Sequence, residues 1–254
     1  MKYKIISFFK RIAAAVEEGR RIYDNILKAI QFLLSSNIGE IVVLFTAILI
    51  TPILMSKFGI PGHLISALEP LLPVQILWIN LVTDSLPALA LAVDPAQKVI
   101  MNRKPLKTKG IFTKGMTWRV LYQGLMVGCL TLAAFILGLA TEGVTAEEKI
   151  SIGQTMAFAT LALSELVHVF NVRDNKKSIF SSNPFNNKML LLAIGVSAAL
   201  MLVVLLVPFL QEIFSITSLF AYPEKLIEVI GLVFAPLVVV EIFKLFKING
   251  SDNN

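Results

Sequence analysis

Charged residues are scarce in this sequence. They make up 16% of its 254 residues, whereas 56% are hydrophobic. Because soluble domains carry about a quarter of their residues as charged side chains, this balance argues against a soluble protein. The single cysteine, Cys129, cannot form an internal disulfide. The sequence also has no cluster of histidine and cysteine, the ligands that zinc and other soft or borderline metals prefer, so it does not favour a site for such a metal.

Long apolar runs dominate what is present. About 20 residues are needed for a helix to cross the hydrocarbon of a bilayer. Six runs reach that length, at approximately 29–54, 72–93, 117–140, 152–172, 188–210 and 226–246. We therefore predict an all-α, polytopic membrane bundle of six transmembrane helices at 29–246, in contact with the lipid bilayer. Residues 1–28 are predicted to form a helical stalk that enters the first span, and 247–254 a disordered tail.

The basic residues indicate orientation. Lysine and arginine concentrate before the first run, between the second and third, between the fourth and fifth, and after the last. The positive-inside rule then predicts that both termini are cytoplasmic, which agrees with an even number of spans. The net charge of +6 is explained by these loops, so we expect no nucleic-acid partner. A multi-pass location follows, in the plasma membrane if the source is bacterial.

Polar residues inside three of the runs are the main functional signal. The second run carries Asn80, Thr83 and Asp84 at i, i+3 and i+4, which share a helix face. The first run carries Asn37 and Glu40, and the fourth carries Glu165.

Carboxylates at membrane depth are costly, and no lysine or arginine lies deep in these runs to compensate them. Amide, hydroxyl and carboxylate oxygens favour a hard cation. Three acidic groups favour a divalent one, and Ca²⁺ accepts irregular shells of oxygen better than Mg²⁺ does. We also expect Pro87 to kink or open the helix near Asp84, because proline lacks a backbone N–H.

Structural interpretations compete with this one. Asparagine and threonine often join membrane helices by hydrogen bonds, and Glu165 could be a protonated carboxyl bonded to backbone. His168 is expected to be a packing or hydrogen-bonding residue. Glu241 is expected to reach the interface or pair with Lys244.

Four motifs carry a resemblance to P-type ATPases. The segment Asn80–Asp84 followed by Leu86-Pro87-Ala88 resembles their sixth transmembrane helix, and Ser36–Glu40 resembles the fifth. The segment 15–20 resembles the link from the phosphorylation domain to the fifth helix, and 183–188 the loop between the eighth and ninth. The resemblance runs from about Ile12 to Phe246 and covers the fifth to tenth helices.

Asn80 together with Val82 is similar to the calcium-pumping branch of the sarcoplasmic-reticulum type. The resemblance implies Ca²⁺ as the transported ion, with Mn²⁺ open because it accepts the same ligands. It implies one calcium site lined by Asn37, Glu40, Thr83, Asp84 and Glu165. Asn80 would contribute to a second site, with Asp84 bridging the two. Ser85 departs from the glycine of the animal pumps, and we expect it to limit unwinding there.

Two family motifs do not occur in these 254 residues, namely DKTG with the phosphorylated aspartate and GDGxND. The resemblance therefore implies no ATP or Mg²⁺ site in this chain, no ATP hydrolysis by it alone, and at most one well-formed calcium site. One hypothesis is a truncated or split pump half, with a complementary chain that carries the first four helices and the cytoplasmic domains. The alternative is a non-enzymatic membrane remnant or a regulator that interacts with intact pumps. A passive cation channel is disfavoured, because tightly held ions leave slowly.

Overall fold

Helices account for the regular structure of the described chain. A computed structural model describes residues 2–95, 100–102, 110–175, 178–179, 181, 184–246 and 248, and within these ranges it contains no strand. Six helical segments there are long and apolar enough to cross a membrane. This confirms the all-α bundle of six candidate spans. The orientation of the termini remains a prediction.

The first helix, α1, runs without a break over Lys2–Phe58. At 1.5 Å per residue its 57 residues extend about 85 Å, far more than the roughly 30 Å of hydrocarbon. Residues 2–28, which fall in the predicted stalk, are therefore continuous with the first span. The helix stops where Gly59 adopts a φ of +66°, a left-handed conformation that glycine tolerates.

The second span is assembled from three short pieces. Helix α2 covers Pro73–Trp78, a π-helical turn follows at Ile79–Asp84, and α3 covers Ser85–Ala92. Pro87 offers no N–H to the carbonyl four residues earlier, so the regular ladder cannot continue through this point. The predicted opening near Asp84 is confirmed. The Ser85 hydroxyl donates to the carbonyl of Asn80, 2.8 Å away, and so holds the widened turn together.

The remaining helices begin at residues that cap or start a helix. Thr113, Thr145 and Asn187 each accept a backbone N–H three residues on, at the start of α4, α5 and α6. These helices and the two that follow are α4 (Lys114–Leu139), α5 (Ala146–Arg173), α6 (Lys188–Leu206), α7 (Pro208–Phe214) and α8 (Pro223–Leu245).

One boundary was wrong. The run predicted at 188–210 is not one helix, because α6 ends at Leu206 and Pro208 starts α7. Hydropathy continues across Val207, whereas the backbone ladder does not. Of the predicted tail at 247–254, all residues but 248 lie outside the described ranges.

Glycines let the central helices approach closely. A Cβ on Gly128 of α4 would lie 2.8 Å from the carbonyl oxygen of Gly39 on α1, and a Cβ on Gly124 would lie 2.8 Å from that of Ser35. Between α4 and α5, a Cβ on Gly138 would lie 2.3 Å from the Cα of Gly153. Such contacts are typical of membrane helix interfaces. The helices form a bundle in which α5 is the most buried span and lies beside α1.

Candidate cation site

Polar side chains from α1, the π-helical turn and α5 meet in the interior of the bundle. Oγ of Ser36 lies 2.6 Å from Oδ2 of Asp84 and also contacts Oε1 of Glu165. Nδ2 of Asn80 donates to Oε1 of Glu40 at 2.8 Å. Asp84 and Glu165 are almost completely buried. Four of the six residues predicted as ligands thus lie in two pairs, Asn80 with Glu40 in direct contact and Asp84 with Glu165 linked by Ser36.

The face that α1 turns inward explains this arrangement. Ser36 and Glu40 are one turn apart, and both are buried. Asn37 lies on the exposed side of the same helix, and its Nδ2 donates to the carbonyl of Leu33 at 2.7 Å. The structure therefore does not bring Asn37 to the other candidates. Ser36 was not among them, although its spacing from Glu40 could have indicated it.

Thr83 has a different environment. It is fully buried, and its hydroxyl donates to the carbonyl of Ile79 at 2.8 Å. This bond uses the only hydrogen of the hydroxyl, but Oγ1 keeps lone pairs that could face a cation. The structure places Thr83 next to Asp84 on the π-helical turn without a direct contact to the carboxylates.

Two buried carboxylate oxygens accept no hydrogen bond from a donor group of the described chain. They are Oδ1 of Asp84 and Oε2 of Glu165. A buried polar atom without a partner is costly, and such atoms in a protein interior usually face an ion or a water. Among the residues that the structure describes, no ion pair joins Asp84, Glu165 or Glu40 to a basic side chain. A bound cation would supply both a partner for these oxygens and a charge opposite to that of the carboxylates.

The Ser36 hydroxyl limits how this group can be protonated. A serine hydroxyl has one hydrogen, so it can donate to only one of its two carboxyl neighbours. The other contact needs a proton on a carboxyl group. Asp84 and Glu165 can therefore share a proton, either through Ser36 or by a direct hydrogen bond between their carboxyl groups.

Acidic groups alone do not complete a metal site. Within the described ranges, no three Asp, Glu, His or Cys side chains are grouped closely enough to hold a metal ion. A full shell of six to eight oxygens would need amide, hydroxyl or carbonyl oxygens in addition to carboxylates. The chemistry of the donor set suits a hard cation, with further ligands recruited around Asp84 and Glu165.

His168 and Glu241, for which the sequence predicts structural roles, each contact another side chain. Nδ1 of His168 lies 3.3 Å from Nδ2 of Asn171, which also donates to the carbonyl of Pro236 at 3.0 Å. This confirms a hydrogen-bonding role for His168. Glu241 pairs with Lys244 at 3.0 Å, which confirms the pairing expected for it.

The fold and the site together define an integral, multi-pass membrane protein with a buried, oxygen-rich group between three of its spans. Residues 68–246 match the family described as Cation transporting ATPase, C-terminus. The chain belongs to this family. The predicted resemblance to the C-terminal membrane region of P-type ATPases is confirmed.

Several calcium-transporting ATPases are similar to the chain. It is 44% identical to one from Bacillus subtilis over 208 residues, which are 81% of this chain and 21% of the relative. It is 39% identical to Calcium-transporting ATPase 1 of Bacillus cereus, over 95% of this chain and 26% of that protein. The endoplasmic reticulum calcium ATPase srcA of Aspergillus fumigatus is 32% identical, over 92% and 25% respectively. The chain thus spans about a fifth to a quarter of these relatives.

Proposed function

We propose that this bundle is the membrane-embedded cation-binding part of a P-type transporting ATPase and that Ca²⁺ is the ion it carries. The observation that carries the proposal is the Ser36 bridge. It holds Asp84 and Glu165 together while leaving one buried oxygen of each without a partner. The printed names of the relatives support Ca²⁺ as the ion.

The ligands of the site are proposed to be Glu40, Asn80, Thr83, Asp84 and Glu165, with Ser36 as a hydroxyl in contact with two of the carboxylates. Asn37 would join them only if α1 turned, because its side chain now faces away. Mn²⁺ would find the same oxygens, so the choice between Ca²⁺ and Mn²⁺ rests on shell size and flexibility.

Energy for transport must come from outside this group of residues. Phosphoryl transfer is proposed to occur on polypeptide beyond the 254 residues, either continuous with them or in a complementary chain. Motion of that polypeptide would reach the ligands through α1, because one unbroken helix carries both the stalk and Glu40.

Calcium titration of the purified chain in lipid nanodiscs tests the site. We expect saturable binding that Asp84→Asn and Glu165→Gln abolish, because each removes a charge from the group. Glu228→Gln is the matched control, since Glu228 pairs with Lys225 within α8 and has no contact with the site. Unchanged calcium binding in both site variants would reject the assignment.

A second measurement separates a pump component from a regulator. The chain is co-expressed with a polypeptide that carries the first four helices and the phosphorylation domain of a calcium pump, and vesicles are assayed for ATP-driven calcium uptake. Uptake that is lost with Asp84→Asn supports the proposal. If the chain binds no calcium but co-purifies with intact pumps and changes their rate, the regulator alternative is correct.

A further inference from the structure

A second polar cluster ties the same helices together away from the carboxylates. Asp94 follows the end of α3 and is 3% exposed. Its Oδ2 accepts from Nζ of Lys28 on α1 at 2.7 Å. Its Oδ1 accepts from Nε of Arg173 on α5 and from Nδ2 of Asn187 at the start of α6, both at 2.9 Å. We call these four residues the Asp94 cluster.

Backbone bonds at the same place reinforce the cluster. Nδ2 of Asn25 on α1 donates to the carbonyl of Asp94 at 2.7 Å, and Nδ2 of Asn187 donates to that of Ala90 at 3.2 Å. The last carbonyls of a helix have no partner within it, so the bonds to Ala90 and, from Asn25 at 3.4 Å, to Ala92 satisfy groups that α3 would otherwise leave open. The end of α3 is thereby fixed to α1 and α6.

The ion pairs of the Asp94 cluster differ from the others that the structure describes. Glu18–Arg21, Lys225–Glu228 and Glu241–Lys244 each join residues three apart on one helix. The pairs of Asp94 with Lys28 and Arg173 instead join separate helices. A pair within one helix does not link that helix to its neighbours, whereas a pair between helices does.

The helices joined at Asp94 are those that carry the candidate site. Ser36 is eight residues beyond Lys28 on α1, and Glu165 is eight residues before Arg173 on α5. Asp84 is ten residues before Asp94. At the rise of a helix the two clusters are about 12–15 Å apart. The three ligand-bearing segments are thus joined twice, once through Ser36 and once through Asp94.

Helix α3 connects these two points. It has eight residues, with the π-helical turn that carries Asp84 at one end and Asp94 just beyond the other. A short helix held at its far end constrains the position of the residues at its near end, which here include Asp84.

We propose that Asp94 is a positioning residue for the cation site. By holding α3 against α1 and α5, it sets the distance between Asp84 and the groups that face it. This inference rests on the function proposed above. It also gives α1 a route to the site that does not pass through the ligands themselves.

The test is a calcium titration of the full chain in nanodiscs that reports both the half-saturating concentration and the number of ions bound. Asp94→Asn and Lys28→Met should each raise the half-saturating concentration about two- to thirtyfold, with the same number of ions bound. Lys28→Arg, which keeps the charge, should stay close to the unmodified chain. Glu228→Gln is the control and should not shift the curve.

A role in stability alone predicts a different result. Loss of folded protein would lower the number of ions bound and leave the half-saturating concentration unchanged, and this would overturn the proposal. The double variant Lys28→Met/Asp94→Asn adds a second criterion. If Asp94 acts through Lys28, the double variant should change the calcium-binding free energy by less than the sum of the changes in the two single variants. Full additivity of those free-energy changes would contradict the pairing.

The outcomes separate this inference from the proposed function. If the unmodified chain binds no calcium, or if Asp84→Asn binds as the unmodified chain does, the proposed function fails. If site variants abolish binding while Asp94→Asn and Lys28→Met titrate normally, only the positioning role fails. Should Asp94→Asn not fold, Lys28→Gln decides, because it retains a donor and breaks only the charge pair with α1.

Discussion

Asn80 donates from Nδ2 to Oε1 of Glu40 at 2.8 Å and so joins the π-helical turn to α1. The same nitrogen donates to the carbonyl of Ile76 at 3.1 Å, so both hydrogens of the amide are used. Oδ1 is then the atom of the Asn80 amide that can coordinate a cation. The bond from Asn80 uses Oε1 of Glu40, so Oε2 of the same carboxylate takes no part in it. One amide thus orients two potential oxygen ligands from different helices.

We predict that Asn80→Ala weakens calcium binding more than Asn37→Ala does. Asn80 holds a carboxylate of the site, whereas Asn37 bonds only to Leu33 in its own helix and is exposed. Calcium titrations of the two variants side by side test this. If Asn37→Ala weakens binding as much as Asn80→Ala, α1 must turn to bring Asn37 into the site.

Ser36→Ala tests the bridge between the carboxylates. It removes the hydroxyl that contacts Asp84 and Glu165, so we expect calcium affinity to fall about 10–100-fold, as for other groups that orient ligands. Ser35→Ala is the matched control, because its hydroxyl donates to the carbonyl of Phe32 in the same helix. Equal effects of the two substitutions would show that the bridge is not needed.

Gly128→Leu should destabilise the bundle. A Cβ at this position would lie 2.8 Å from the carbonyl oxygen of Gly39, so α1 and α4 would have to separate at a cost of about 1–3 kcal/mol or more. The melting temperature in detergent measures this. Gly195→Leu on α6 is the control, since a Cβ there meets nothing within 4 Å. A normal melting temperature for Gly128→Leu would contradict the close packing.

Pro87→Ala tests the origin of the π-helical turn. The substitution restores an N–H that can bond to the carbonyl of Thr83, so the turn should tighten toward an α-helix. We expect slower amide hydrogen exchange over residues 83–91 together with weaker calcium binding. Exchange and affinity that both match the unmodified chain would show that Pro87 does not cause the opening.

The sequence predicted the number of spans well, because the length of an apolar run reports directly on the hydrocarbon it can cross. It also predicted the continuity of α1 and the opening near Asp84. It did not predict the break at Pro208, where the apolar run continues although the helix ends. Hydropathy averages over many residues, whereas a proline interrupts the backbone at one.

The structure brings some of the predicted site residues together and leaves Asn37 apart from them. Relative to Glu40, Asn37 lies about 60° to one side of α1 and Ser36 about 40° to the other. Sequence spacing allows either residue to share a face with Glu40. Which of the two faces the interior depends on the rotation of α1 about its axis, and the close contact of α1 with α4 at Gly39 constrains that rotation. The partners of Asp94 come from three separate helices, so no local pattern could have indicated them.

Direct location of the ion tests the central claim. Crystals of the chain grown with Ca²⁺, or with Tb³⁺ as a calcium substitute, would reveal the ion by its anomalous scattering. We predict a peak within about 2.3–2.6 Å of Oδ1 of Asp84 and Oε2 of Glu165, the two buried oxygens that now lack partners. A peak at a different place, away from Asp84 and Glu165, would contradict the account.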